Sequence, residues 1–168
     1  MERRRGKGRR QFKEAPDEFE QKIVDLARVT RVMAGGKRMR FRAAVVVGNK
    51  KGQVGIGVGK GADVAIAVDK ATRQAKKNLI NVCIVNDTIP HPVQVKYSAA
   101  KILLKPAPPG RGIIAGGPVR MVLELSGIKN IVSKMQGSNN KISNINAVIK
   151  GLQTLRTKDT ILKMRQFK

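Results

Sequence analysis

The chain has 168 residues, with 35 lysines and arginines against 11 acids, a formal charge of +24 and a pI near 11.2. Self-repulsion on that scale opposes compaction, so a large anionic partner is the natural compensation. A lone cysteine, Cys83, and a lone histidine, His91 between two prolines, exclude a disulfide framework and speak against a Cys- or His-built metal or catalytic centre. Aromatics at 3% argue against a platform that stacks single-stranded bases, and favour structured RNA read through backbone and shape. No apolar run reaches the length of a spanning helix, and MERRRGKGRRQFK lacks the apolar stretch of a signal peptide. No cofactor, membrane or small-molecule substrate is expected.

Residues 1–17 read as a basic head that is disordered on its own, with seven cations in its first thirteen residues against Glu2. Acids then gather between Glu14 and Asp25. Asp17 follows Pro16, and Phe19, Ile23 and Leu26 recur at helical spacing, so a short helix is expected there.

From Arg28 to Gly61 the pattern changes to three strands and two tight connections, Ala34–Lys37 and Gly48–Gly52. Met39, Phe41, Ala43, Val45 and Val47 share one side of the middle strand, which is expected to bury. Arg38, Arg40 and Arg42 share the other, a row of guanidinium forks suited to phosphate. The turn at Gly35, Gly36 and Lys37 is expected to reverse the chain and to touch nucleic acid. Arg28, Arg31, Lys50, Lys51 and Lys60 extend the same cationic surface. In the third strand Gly55, Gly57 and Gly59 form one face, on which a helix can lie closely. These glycines fit neither a P-loop nor the dinucleotide fingerprint: Gly61 stands where Ser or Thr is needed, and Lys60 where the third glycine is.

A helix follows, capped by Asp63, with Val64, Val68, Ala71, Ala75 and Leu79 as its apolar stripe. Lys70, Arg73, Lys76 and Lys77 lie outside the stripe, as a solvated face or as phosphate contacts. A first unit, 18–84, thus closes as sheet plus helix. After the turn-rich Asn86–Pro92, Val93–Tyr97 and Ile102–Lys105 read as strands. Pro106–Gly112 reads as a loop, Val119–Ser126 as a helix opened by Pro118 and ended by Gly127, and Ile128–Met135 as a strand. The last long helix is expected to be capped by Ser143, with Ile145, Val148, Ile149, Leu152 and Leu155 inward. Residues 88–156 are therefore a second α/β sandwich and 157–168 a basic tail.

RVTRVMAGGKRMRFRA, VGNKKGQVGIGVGKG, KKNLINV, TIPHPV and RGIIAGGPVR together resemble the bacterial-type small-subunit ribosomal protein number five (S-five) family, over about residues 20–156. The resemblance implies an α+β protein: a double-stranded-RNA-binding-like three-stranded sheet with helix, then a two-layer α/β sandwich with a left-handed β-α-β crossover. It implies a non-enzymatic component of the small subunit that binds 16S-type rRNA beside proteins S-four and S-eight. Roles in decoding accuracy and near the channel by which mRNA enters are also implied. By position, Gly35, Gly36 and Lys37 match the hairpin loop that reaches rRNA near the spectinomycin site. A basic residue is usual in the family where this chain has Ala34. Gly110, Gly112 and Arg120 match the region facing S-four, and Arg111, standing where a small polar residue is common in the family, is expected to add a contact there. Two other classes stay open: a free-standing double-stranded-RNA-binding regulator or assembly factor, and a small-molecule kinase sharing the second sandwich. The kinase lacks support because Gly112–Pro118 has no Ser-rich phosphate loop.

Overall fold

The computed structural model describes residues 18–166, so the expectations for the basic head lie outside the described residues. The first unit is β1 (Glu20–Met33), β2 (Gly36–Gly48), β3 (Gln53–Gly61), α1 (Val64–Lys77) and β4 (Leu79–Asn81). Its strands form one antiparallel sheet in the order β1-β2-β3-β4, with α1 across one face.

The fit of α1 on the sheet follows from small residues on both sides. Gly55, Gly57, Gly59 and Gly61 lie beneath Ala67, Ala71 and Ala75, and a Cβ on any of the four would come within 3.0 Å of the helix backbone. Helix and strand thus touch main chain to main chain. The buried stripe of α1 is Ala67, Ala71 and Ala75, with Val68 beside it. The expected stripe from Val64 to Leu79 is corrected at both ends. Val64 is only half-buried, and Leu79 has left the helix to pair with Gly55 in β4, a fourth strand that the sequence reading did not foresee. Asp63 occupies the N-cap position, with no side-chain hydrogen bond to the helix.

Where a short helix is expected after Asp17, residues 20–27 instead form the first half of β1. A β-bulge between Ile23 and Asp25 explains the misreading. The extra residue puts Ile23, opposite Val45, and Leu26, opposite Ala43, on one face three positions apart, which imitates a helical repeat.

The second unit contains β5 (Val93–Tyr97), β6 (Ala100–Pro106), β7 (Ile113–Ile114), α2 (Gly117–Ser126), β8 (Ile131–Met135) and α3 (Lys141–Thr154), followed by α4 (Lys158–Gln166). The sheet order is β5-β6-β8-β7. Only β7 and β8 are parallel, joined through α2; the other neighbours are antiparallel. Pro118 sits in the first turn of α2, and Gly127 ends it at φ 89°. Asn140, rather than Ser143, caps α3: its Oδ1 accepts from the Ile142 amide at 3.0 Å, while Ser143 already lies inside the first turn.

The two sheets share a core. On the sheet face away from α1, Val24, Val46, Val54 and Ile56 pack into one cluster with Val122, Leu123 and Leu125 of α2 and Ile145, Val148 and Leu152 of α3. The end of β2 is therefore buried on both faces, Ala43, Val45 and Val47 beneath α1 and Val46 beneath the second unit. The connection 49–52 is bound across this seam. The Lys50 amide donates to Leu125 O and the Gly52 amide to Ser126 O, both at 3.0 Å. Asp87, in the link between the units, accepts the amides of Lys129 and Asn130 on its carbonyl, also at 3.0 Å.

Candidate nucleic-acid interface

β3 stops pairing at Gly61, opposite Phe41, but β1 and β2 continue together to Met33 opposite Gly36. Five residue pairs beyond β3 thus form a two-stranded arm, about 17 Å long at the rise of an antiparallel strand. Residues 31–40 are all exposed. Ala34 and Gly35 make the turn; Gly36 follows at φ 128°, and neither glycine has a heavy atom within 4 Å of a built Cβ. The turn is therefore open, and its glycine requirement is conformational, at Gly36.

Register assigns the faces of the arm. Arg31 lies directly opposite Arg38 and Val29 opposite Arg40, while Lys60 of β3 lies opposite Arg42. Arg31, Arg38, Arg40 and Lys60, with Val29, Thr30 and Met33, line a depression of about 350 Å³. No acid occurs between Asp25 and Asp63 in the sequence, so nothing on this stretch offsets the charge. Arg28 and Lys37 belong to the opposite face, across from Phe41 and Val32.

The row of three arginines is not uniform. Arg38 and Arg40 are exposed, but Arg42 is half-buried and its Nη2 donates to Asp25 Oδ2 at 3.1 Å. The Arg42 Nε is buried with no hydrogen-bond partner among the described residues. Arg42 therefore holds the base of the arm, because it stands where the cationic face meets the seam. Lys50 and Lys51 are both exposed; the Lys50 Nζ pairs with Glu20 and its backbone is bound to the end of α2. On α1, Lys70, Arg73, Lys76 and Lys77 are all exposed, and Lys70, Arg73 and Lys77 border a second shallow depression with Gln74 and Asn78.

Gly110 and Gly112, at φ 86° and 72°, and the exposed Arg111 form a loop tied down where the Gly112 amide donates to Asn130 Oδ1 at 3.1 Å. Ile113, the next residue, and Arg120 share one hollow with Lys22, Lys50, Glu124 and Lys129. Arg120 donates through Nε to Glu124 Oε1 at 2.9 Å, one helical turn along α2. Glu124 also accepts from Lys22 Nζ at 2.6 Å, which joins α2 to β1.

Two acids, Asp25 and Glu124, organise the seam. Asp25 accepts from Lys141 Nζ of α3 at 3.1 Å as well as from Arg42, and Glu124 accepts from Lys22 and Arg120. The Lys141 hydrogen bond, reinforced by Arg42 against the opposing effect of burial, holds the Asp25 carboxyl below its ordinary range. The Lys22 and Arg120 hydrogen bonds do the same for Glu124. Being rare acids in a basic chain was the only sign either one gave. Elsewhere, Cys83 is half-buried beside the shared core, and His91 lies in a hollow beside α4 with Pro90, Ile161 and Leu162. Among the described residues no cluster of three His, Cys, Asp or Glu could hold a metal ion, and no helix is long and apolar enough to cross a membrane.

Two family models divide the chain between them. Residues 19–83 match the N-terminal domain of ribosomal protein S5, and residues 95–165 match its C-terminal domain. Relatives include the small ribosomal subunit protein uS5c of Guillardia theta, 47% identical over 154 residues, which cover 91% of each chain. The uS5c of Porphyra purpurea is 50% identical over 86% of this chain and 84% of its own. The uS5 of Synechococcus elongatus is 47% identical over 90% and 85%. The chain belongs to the ribosomal protein S5 family.

Proposed function

We propose that this chain is a structural component of the small ribosomal subunit, held there mainly by 16S-type rRNA. The observation that carries the reading is the match to both S5 domains, at 47–50% identity to small-subunit proteins over most of the chain. The acid-free arm gives it a physical basis. Arg31, Arg38, Arg40 and Lys60 gather phosphates on one face, with the open turn Gly35–Gly36 and Lys37 at the tip. Arg28, Lys51 and the exposed cations of α1, Lys70, Arg73, Lys76 and Lys77, extend the contact.

The loop Gly110–Gly112 and Arg120 form the face toward S-four in this reading, and S-eight is a further neighbour. The protein lies near the channel by which mRNA enters and contributes to decoding accuracy. Glu124 links Arg120 to Lys22, so a contact made at Arg120 bears directly on the first sheet. The test is sedimentation of the tagged full chain with small subunits from its own cells. One copy per subunit retained through a high-salt wash is expected. Release of the protein to the top of the gradient would favour a free-standing RNA-binding regulator instead.

A further inference from the structure

The arm has a second face, and its composition is unlike the first. Opposite Lys37 stands Val32, 72% exposed, and opposite Thr30 stands Met39, 53% exposed. Lone exposed apolar residues are ordinary on a protein surface. Here two neighbour each other across a ribbon that has no third strand and no covering helix among the described residues and no acid of its own, flanked by Lys37 and Arg28. A two-stranded ribbon presents both faces to whatever surrounds it. Five cations between Arg28 and Arg40 make that surrounding partner a polyanion.

We propose that Val32 and Met39 form an apolar wedge that packs against nucleobases of the same RNA whose phosphates are held by Arg31, Arg38 and Arg40. This rests on the rRNA-binding reading above and adds base contact to phosphate contact. The division of labour follows from the chemistry. Guanidinium groups on one face fix position on the backbone, and aliphatic side chains on the other gain only by leaving water against an apolar surface. In RNA such a surface is the face of an unstacked base. Lys37 and Arg28 beside the wedge reach the phosphates on either side of it.

The test compares the wild-type full chain with Val32→Ser/Met39→Ser, using purified small-subunit rRNA, salt titration and chemical probing of the bases. Both side chains are mostly in solvent, so the melting temperature of the free protein is expected to stay unchanged. Affinity is expected to fall by about tenfold or more from the lost apolar burial. The log–log salt slope is expected to be unaltered because no phosphate contact is removed. One or a few bases protected by the wild type are expected to regain reactivity. Unchanged affinity and base protection in the variant would overturn the wedge while leaving phosphate binding by the wild type intact. Normal binding to naked rRNA with poor incorporation into subunits would also overturn it, and would assign this face to a protein neighbour. Failure of the wild type itself to bind rRNA would instead remove the underlying functional reading.

Discussion

The two halves of the β1–β2 ribbon share one alternation and have opposite fates. In the rooted half, residues 20–27 against 42–48, Ala43, Val45 and Val47 of β2 lie beneath α1, and Val24 and Val46 contribute to the core shared with the second unit. In the projecting half, residues 28–33 against 36–41, most of both faces is exposed. What separates them is the neighbour, since β3 and the second unit end near Phe41 and Arg42. Arg42 with Asp25 marks the border. An isolated two-stranded ribbon is marginal in water. The arm therefore takes its order from the root, and keeps its side chains for partners.

The largest expected effect breaks the root. Gly57→Val would place a side chain against the backbone of Ala71 and Ala75, so α1 must lift from the sheet. A loss of about 3 kcal/mol is expected, at the upper end of overpacking costs, read from urea unfolding of the free protein. Stability within about 0.5 kcal/mol of wild type would mean that helix and strand do not lie this close.

The mirror experiment breaks the arm and spares the root. Arg31→Ala/Arg38→Ala/Arg40→Ala is expected to leave unfolding unchanged while the log–log salt slope of rRNA binding falls by about 2 to 3. An unchanged slope would remove these arginines from the interface.

The smallest effect sharpens the border. Asp25 and Glu124 have carboxyl groups held below their ordinary range, so they contribute stability above it. That contribution begins to fade as pH falls below about 4 and is gone below their lowered folded values. The wild type is expected to lose stability on acidification through this window, with a shallower loss in Asp25→Asn. Identical acid profiles would show that the pair Asp25–Lys141 does not strengthen the seam.

Much of this was legible because local chemistry decided it. The glycine face of β3 required a close helix, Pro118 and Gly127 bracketed α2, and the apolar stripe of α3 from Ile145 to Leu155 faces inward. The arm's cations were legible as a solvent-facing row, and register then divided the row. The rest depended on partners distant in sequence. Val46 reads as one residue of an apolar run, and nothing in that run says that it will join a core with α2 and α3 of the second unit. The bulge before Asp25 disguised a strand as a helix. Lys50 carries no local sign that its amide will bind the end of α2, seventy-five residues on. Asn140 displaced Ser143 as cap because either residue can fill that position, and the loop geometry chose.

The docked connection 49–52 also has a consequence for the order in which the molecule is made. Its amide acceptors, and the apolar residues that cover Val46, Val54 and Ile56, lie in α2 and beyond. Synthesis from Ile56 to Leu125 takes about 4 to 14 s at bacterial to eukaryotic elongation rates. During that interval the nascent first sheet has α1 for one face and no cover for the other. Its own residues cannot shorten the wait. The growing chain must pass through a stage in which half of the sheet's apolar surface is open to chaperones, to water or to a second nascent copy.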